Sequence, residues 1–206
     1  MTILFCMVRT RSFDPAEALR ATVDLFASKG YSETSMEDIV ETTGVSRYGL
    51  YGTFGNKREL FEQALELYAE QMGRSAFLRL AEPGARLEHI RRVFEIRIED
   101  MYKDAEPKGC LFIHTAMELA PQDEELRAVL RKFMTRLSKL FARGLRSAIE
   151  AGDVKPDIDI RGTAEMLTST TFGLAVLIRS GFPRAVSYTH LTLPTRSCQC
   201  RSRWSP

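Results

Sequence analysis

With 206 residues, 44% of them hydrophobic and 27% charged, the chain is long enough to bury a sizeable core and is composed like an ordinary globular protein, which excludes a fibre or a disordered chain. Twenty-nine Lys and Arg against 27 Asp and Glu leave a net charge of only +2, so nucleic-acid binding would have to come from local charge placement. Four cysteines with no C-x-x-C spacing exclude a disulfide framework and a zinc site of that type, and predict a reducing, cytoplasmic compartment with neither metal nor cofactor.

The apolar run from Ile3 to Val8 is far short of the roughly 20 residues that span a bilayer and follows no charged region, so neither membrane insertion nor signal-directed export is expected. Residues 1–11 read as an arm; 1–6 lack periodicity or a capping role and read as a miscalled start, with Met7 as the alternative beginning. Asp14, Pro15 and Glu17 supply an N-cap, a proline at the first helical position and a capping-box partner, so a helix starts near residue 15 and ends at Gly30. Ser35 and Asp38 open a second, from about Met36 to Thr43, which Gly44 closes. Ser46 caps a third over Arg47 to Thr53, so two short helices joined by a tight turn form a helix-turn-helix at about 35–54. Asn56 and Glu59 start a long fourth helix expected to reach about Leu80, before Pro83 and Gly84. Beyond that break, helices are predicted at about 85–103, 110–120, 122–151 and 158–180, and the fold class is all-α.

Within the helix-turn-helix, Ile39, Val40, Val45, Leu50 and Phe54 fall where the helix pair packs, leaving Ser46, Arg47, Tyr48, Gly49 and Tyr51 to point away. An exposed helix start carrying an Arg fork, hydroxyls and a small residue suits major-groove reading, because Arg can bond guanine bidentately and hydroxyls reach phosphates. Acidic side chains slightly outnumber basic ones between residues 8 and 60, so this face must segregate its charge, with Arg9, Arg11, Arg47, Lys57 and Arg58 on one side. Lys57 and Arg58 stand at a helix start, against the macrodipole, which a phosphate partner explains. A phosphate-loop reading of Gly49, Gly52, Gly55 and Lys57 fails on spacing and lacks a preceding strand.

From about Ser12 to Leu65 the sequence resembles the TetR/AcrR family of bacterial transcriptional regulators, on Phe26, Gly30, Tyr31, Thr34, Ile39, Gly44, Val45, Ser46, Leu50, Tyr51, Phe54, Lys57, Leu60 and Phe61. The resemblance implies a three-helix DNA-binding domain (12–56), a helical ligand-binding and dimerisation domain (57–185), and a homodimer that represses at a palindromic double-stranded operator until a small-molecule effector releases it. Carried over by position, it implies that Ser46, Arg47, Tyr48 and Gly49 face bases or phosphates while Ser35, Tyr51, Thr53 and Lys57 hold the DNA backbone. Gly52 and Thr53 replace the larger side chains common in the family, which weakens a backbone contact there.

The second half resembles the family in its Gly109-Cys110-Leu111-Phe112 and Glu118-Leu119-Ala120-Pro121 segments. Phe94, Ile98, Met101, Tyr102, Cys110, His114, Met117 and Phe172 are the candidate lining of an effector pocket. Cys110, His114 and Glu118, spaced i, i+4, i+8 on one helical face, give the alternative: a helical enzyme or metal-binding protein. No catalytic residue is assigned on the regulator reading. Finally, Val186 to Thr195 reads as an in-frame translation of a sequencing-adapter end, so 186–206 is expected to be a non-native tail whose removal changes little. The family's last helix, which pairs across the dimer axis, would then be missing, exposing part of the apolar face of Leu174, Val176, Leu177 and Ile178.

Overall fold

The computed structural model describes residues 13–72, 77–103 and 109–189, and every regular element in them is helical. Four helices make up the first part: α1 (Pro15–Lys29), α2 (Met36–Thr43), α3 (Arg47–Phe54) and α4 (Lys57–Met72). Each start is fixed by the side chain expected there. The Asp14 carboxylate accepts from the Ala16 N–H at 2.9 Å. Ser35 and Asp38 form a reciprocal box, the Asp38 N–H donating to the Ser35 Oγ and the Ser35 N–H to the Asp38 carboxylate. The Ser46 Oγ accepts from the Gly49 N–H at 3.2 Å. Asn56 Oδ1 accepts from the N–H groups of Arg58 and Glu59, while Glu59 accepts from the Asn56 N–H. Gly44 closes α2 at φ +67°, a left-handed conformation that glycine adopts without a Cβ penalty.

The rest consists of α5 (Leu87–Met101), α6 (Leu111–Glu118), α7 (Glu124–Glu150) and α8 (Ile160–Arg179). A short helical stretch over 184–189 follows, in which Ser187 is buried; the remainder of the expected tail, 190–206, and the arm at 1–11 lie outside the described residues. One expected boundary moves. Helix α4 is described only to Met72, and Leu78–Ala81 form a separate 3₁₀ turn rather than the end of a helix reaching Leu80. The apolar pair there serves α7: the Phe77 ring meets Phe141 edge-on at 5.9 Å, and Leu80 is buried beside Gly144.

Three aromatic clusters hold the helices. Phe26, Tyr31 and Phe61 interlock α1 with α4, with Phe26 to Phe61 at 5.1 Å and Tyr31 to Phe61 at 4.9 Å. Farther along, Phe94 stacks on Phe141 at 5.6 Å, and Phe112 on Phe133 at 4.0 Å. Each fully buried Phe contributes roughly 1.5–3 kcal/mol by removal from water. On α8, Leu174, Ala175 and Ile178 are buried within the chain, contrary to the expected exposure of Leu174 and Ile178, because α7 packs along the helix. Val176 is half-exposed.

Candidate nucleic-acid interface

The packing of α2 against α3 decides what faces outward. Ile39, Val45, Leu50 and Phe54 are buried between the helices and α1, as their spacing predicts. Ser46, Arg47, Tyr48 and Tyr51 are exposed, Tyr48 at 80% and Tyr51 at 44%. Gly49 differs from the expectation: a Cβ there would come within 3.1 Å of Val45 and 3.3 Å of the Phe13 ring, so the position faces the packed side. The cause is its place one residue before Leu50, at the edge of the buried stripe. Thr53 is partly buried, and Ser35 is exposed with its hydroxyl donating to Asp38 at 2.6 Å.

The charge on this face is already partnered. Arg47 ion-pairs with Glu37 of α2 at 2.9 Å, both side chains well exposed. The Lys29 ammonium and the Ser35 donors hold the Asp38 carboxyl far below the usual carboxylate range. Lys57 lies with its ammonium 4.2 Å from the centre of the Tyr31 ring, where burial lowers its pKa and the charges of Glu118 and Asp38 oppose that shift. Arg58 pairs with Glu62 and with Asp123 at the start of α7. Each of these two cations therefore has protein partners that the sequence alone did not reveal. Arg9 and Arg11 lie outside the described residues.

Behind this face, the turn after α1 is gripped from the second half of the chain. The Ser32 N–H donates to Glu118 Oε2 at 2.9 Å, and His114 Nδ1 lies 3.1 Å from the other oxygen of that carboxylate. Burial raises the Glu118 pKa, but the Ser32 donors and His114 outweigh it and leave the carboxyl below its ordinary value. Gly30, at φ +85°, leaves the room the carboxylate occupies; a Cβ there would lie 2.0 Å from Glu118 Oε1. Gly109 is as close to α1, since a Cβ would meet the Ala27 carbonyl oxygen at 2.3 Å. Arg179 at the end of α8 donates to the Ser28 carbonyl at 2.7 Å.

The candidate pocket residues divide. Phe94, Ile98, Met101 and Cys110 are buried, Tyr102 and Phe172 are partly buried, and the Tyr102 hydroxyl donates to the Phe182 carbonyl at 2.7 Å. Met117 is 76% exposed and does not face the interior, because it stands about 200° round α6 from buried Thr115. Open clefts of about 850 Å³ between α7 and α8, and about 570 Å³ between α4 and α7, include none of the eight. The structure also splits the trio of the enzyme alternative: His114 and Glu118 meet each other and the α1 turn, whereas Cys110 Sγ accepts from the Tyr68 hydroxyl at 3.5 Å. No group of three His, Cys, Asp or Glu able to hold a metal occurs among the described residues, and no helix among them is long and apolar enough to cross a membrane. Sequence reading missed Ser32 and Arg179, which act across long sequence separations.

Comparison with known proteins bears on both halves. Residues 18–64 match the family described as bacterial regulatory proteins, tetR family, and residues 86–189 match the tetracyclin repressor-like C-terminal domain. The chain is 31% identical over 174 residues to the HTH-type transcriptional regulator YezE of Bacillus subtilis, covering 84% of this chain and 90% of that one. It is 26% identical over 174 residues to the HTH-type transcriptional repressor ComR of Escherichia coli, with 84% and 83% covered. Among solved structures, the TetR family regulator CifR, as a cysteine mutant complexed with a 26 bp operator, superposes with a TM-score of 0.79 at 29% identity, covering 92% of this chain and 99% of that one.

Proposed function

The chain belongs to the TetR family of bacterial transcriptional regulators, and from that premise we propose that two copies bind a palindromic operator through α3 and repress until a small molecule releases them. The observation that carries this reading is the exposed start of α3: Arg47, Tyr48 and Tyr51 stand in solvent on a helix whose other side is locked by Leu50 and Phe54. Ser46, Arg47 and Tyr48 reach bases or phosphates, and Gly49 keeps the helix start slim. Ser35, Tyr51, Thr53 and Lys57 hold the backbone, Lys57 by swinging off the Tyr31 ring. The operator-bound structure of CifR supports the same docking here.

Residues 12–56 serve as the reading unit and 57–185 as the effector and dimerisation unit. Helix α6 connects them, because Glu118 at its end holds the Ser32 N–H. Any shift of α6 therefore acts on the turn between α1 and α2, and coupling requires that the effector prefer the shifted state. His114 and Glu118 serve this contact rather than catalysis, and the proposed regulator acts where its operator lies, in the cytoplasm.

Selection of bound sites from random duplex DNA tests the reading. An inverted repeat with half-sites about one helical turn apart is expected, with affinity falling steeply as salt rises. Recovery of no common site, or of a single unrepeated half-site, would overturn it.

A further inference from the structure

Helix α7 sorts its surface by charge. From Leu126 to Ile149 no acidic residue interrupts it. Arg127 and Arg131 are held by Glu124 at the helix start. Lys132, Arg136, Lys139, Arg143 and Arg146 are all exposed, and none of them ion-pairs with a carboxylate among the described residues. At steps of four and three residues they fall within about 80° of one another round the helix, as one stripe about 21 Å long. The other side of α7, with Leu130, Leu137, Phe141 and Leu145, is buried.

Other helices treat surface charge differently. On α5, Arg91 and Arg92 meet Glu95 and Glu99, and on α8 Arg161 meets Glu165. Like charges three and four residues apart destabilise a helix, so the stripe works against the element that carries it. An anionic surface laid along it relieves the repulsion. Over about 21 Å a DNA duplex presents roughly twelve phosphate charges, and three of the five cations are arginines, whose forks suit phosphate oxygens. A second copy of the chain with its two-fold axis at the stripe would set positive against positive. A lipid surface takes apolar side chains between its headgroups, and the stripe supplies only cations.

We propose that this stripe binds a second segment of duplex DNA by its phosphates, without reading bases, so that a molecule seated on an operator through α3 carries another stretch of DNA on α7. The stripe is separate from the α3 surface. Arg58, at the start of α4, pairs with Asp123 and so ties the beginning of α7 to the reading unit. The five cations begin about 14 Å along the helix from that tie and end about 35 Å from it.

The test saturates the full chain with an unlabelled short operator duplex, which occupies α3, and titrates a labelled duplex of unrelated sequence, read by anisotropy. Binding is expected, with log affinity falling against log salt at a slope of roughly −3 to −5. Arg136→Gln, Lys139→Gln and Arg143→Gln together should weaken it at least about tenfold at low salt and flatten the slope by about three. Operator affinity should stay within about twofold. The triple variant should melt no lower than its parent, since like charges are removed; should it fail to fold, Lys139→Gln alone is expected to flatten the slope by about one. No binding by the operator-saturated protein, or an unchanged slope in the variants, would overturn the proposal. So would stripe-dependent binding to polyglutamate or to phosphatidylserine vesicles that is tighter than to duplex, which would assign the stripe to an acidic protein or to a membrane. If site selection recovers no operator, the unrelated duplex is titrated alone: the stripe stands if the triple variant weakens binding, and falls if only Arg47→Ala does.

Discussion

Helices α2 and α3 have eight residues each, whereas α7 and α8 have 27 and 20, and the difference decides what holds each pair in place. A helix of eight residues is marginal by itself, so its position depends on its ends. In the reading unit those ends are dense with chemistry: the Ser35–Asp38 box, the Gly44 turn and the Ser46 cap lie within a dozen residues of one another. The long pair also has aspartate caps, at Asp123 and Asp159, but ring stacking on α7 and burial of Leu137, Phe141, Leu145, Leu174 and Ile178 fix it. End chemistry positions the surface that presents side chains to a partner; lateral packing positions the long helices behind it.

The comparison can be broken in five ways, taken from the largest effect down. Phe61→Ala removes the ring common to the Phe26 and Tyr31 contacts and is expected to cost about 3–5 kcal/mol in guanidinium unfolding, with operator binding lost as α1 parts from α4. Arg47→Ala leaves the melting temperature in place but costs about 1–3 kcal/mol of operator affinity and relaxes one base position in site selection. Ser35→Ala and Asp159→Ala each remove a helix cap and cost about 0.5–2 kcal/mol by thermal unfolding, yet operator titration should register only the first. Equal effects on DNA would mean that end chemistry is no more important in one unit than in the other. Glu37→Gln frees Arg47 from its surface ion pair and should tighten operator binding by at most about fivefold, read by anisotropy.

The smallest effect concerns acid. The folded state holds Asp38 below its ordinary pKa of 3.8, so the unfolded chain binds the proton more tightly. Its contribution is therefore complete above about pH 4 and declines as the pH falls from there toward the depressed folded value. Asp38→Asn should flatten that stretch of a stability-against-pH curve and leave the neutral range lower but parallel. An unchanged acid limb would remove Asp38 from the account of α2.

Legibility in the sequence follows the same division. Caps act over two to four residues, so Asp14, Ser35, Ser46 and Asn56 announced their helices, and the family resemblance rested on the same stretch. What the sequence hid was non-local or one residue off in angle. Ser32 and Glu118 are 86 positions apart, and no periodicity relates them. Gly49 sits at the edge of its helix's buried stripe, where a shift of one position reverses the face, and apolar Met117 lies on the side of α6 opposite Thr115. Lys57 and Arg58 obey the macrodipole rule poorly in isolation, and only the fold supplied Tyr31, Glu118 and Asp123 as their partners.

Gly109 offers a ruler for the motion on which regulation would depend. Because α1 and the approach to α6 meet there with no space for even a methyl group, side chains of increasing bulk at 109 act as shims of graded thickness between the two units. Alanine, serine and valine would part the Ala27 carbonyl from the chain at 109 by increasing amounts, stretching the Ser32 to Glu118 contact with no ligand present. Operator affinity plotted against the size of the shim would then give the distance over which the switch works, read in tenths of an ångström from substitutions alone.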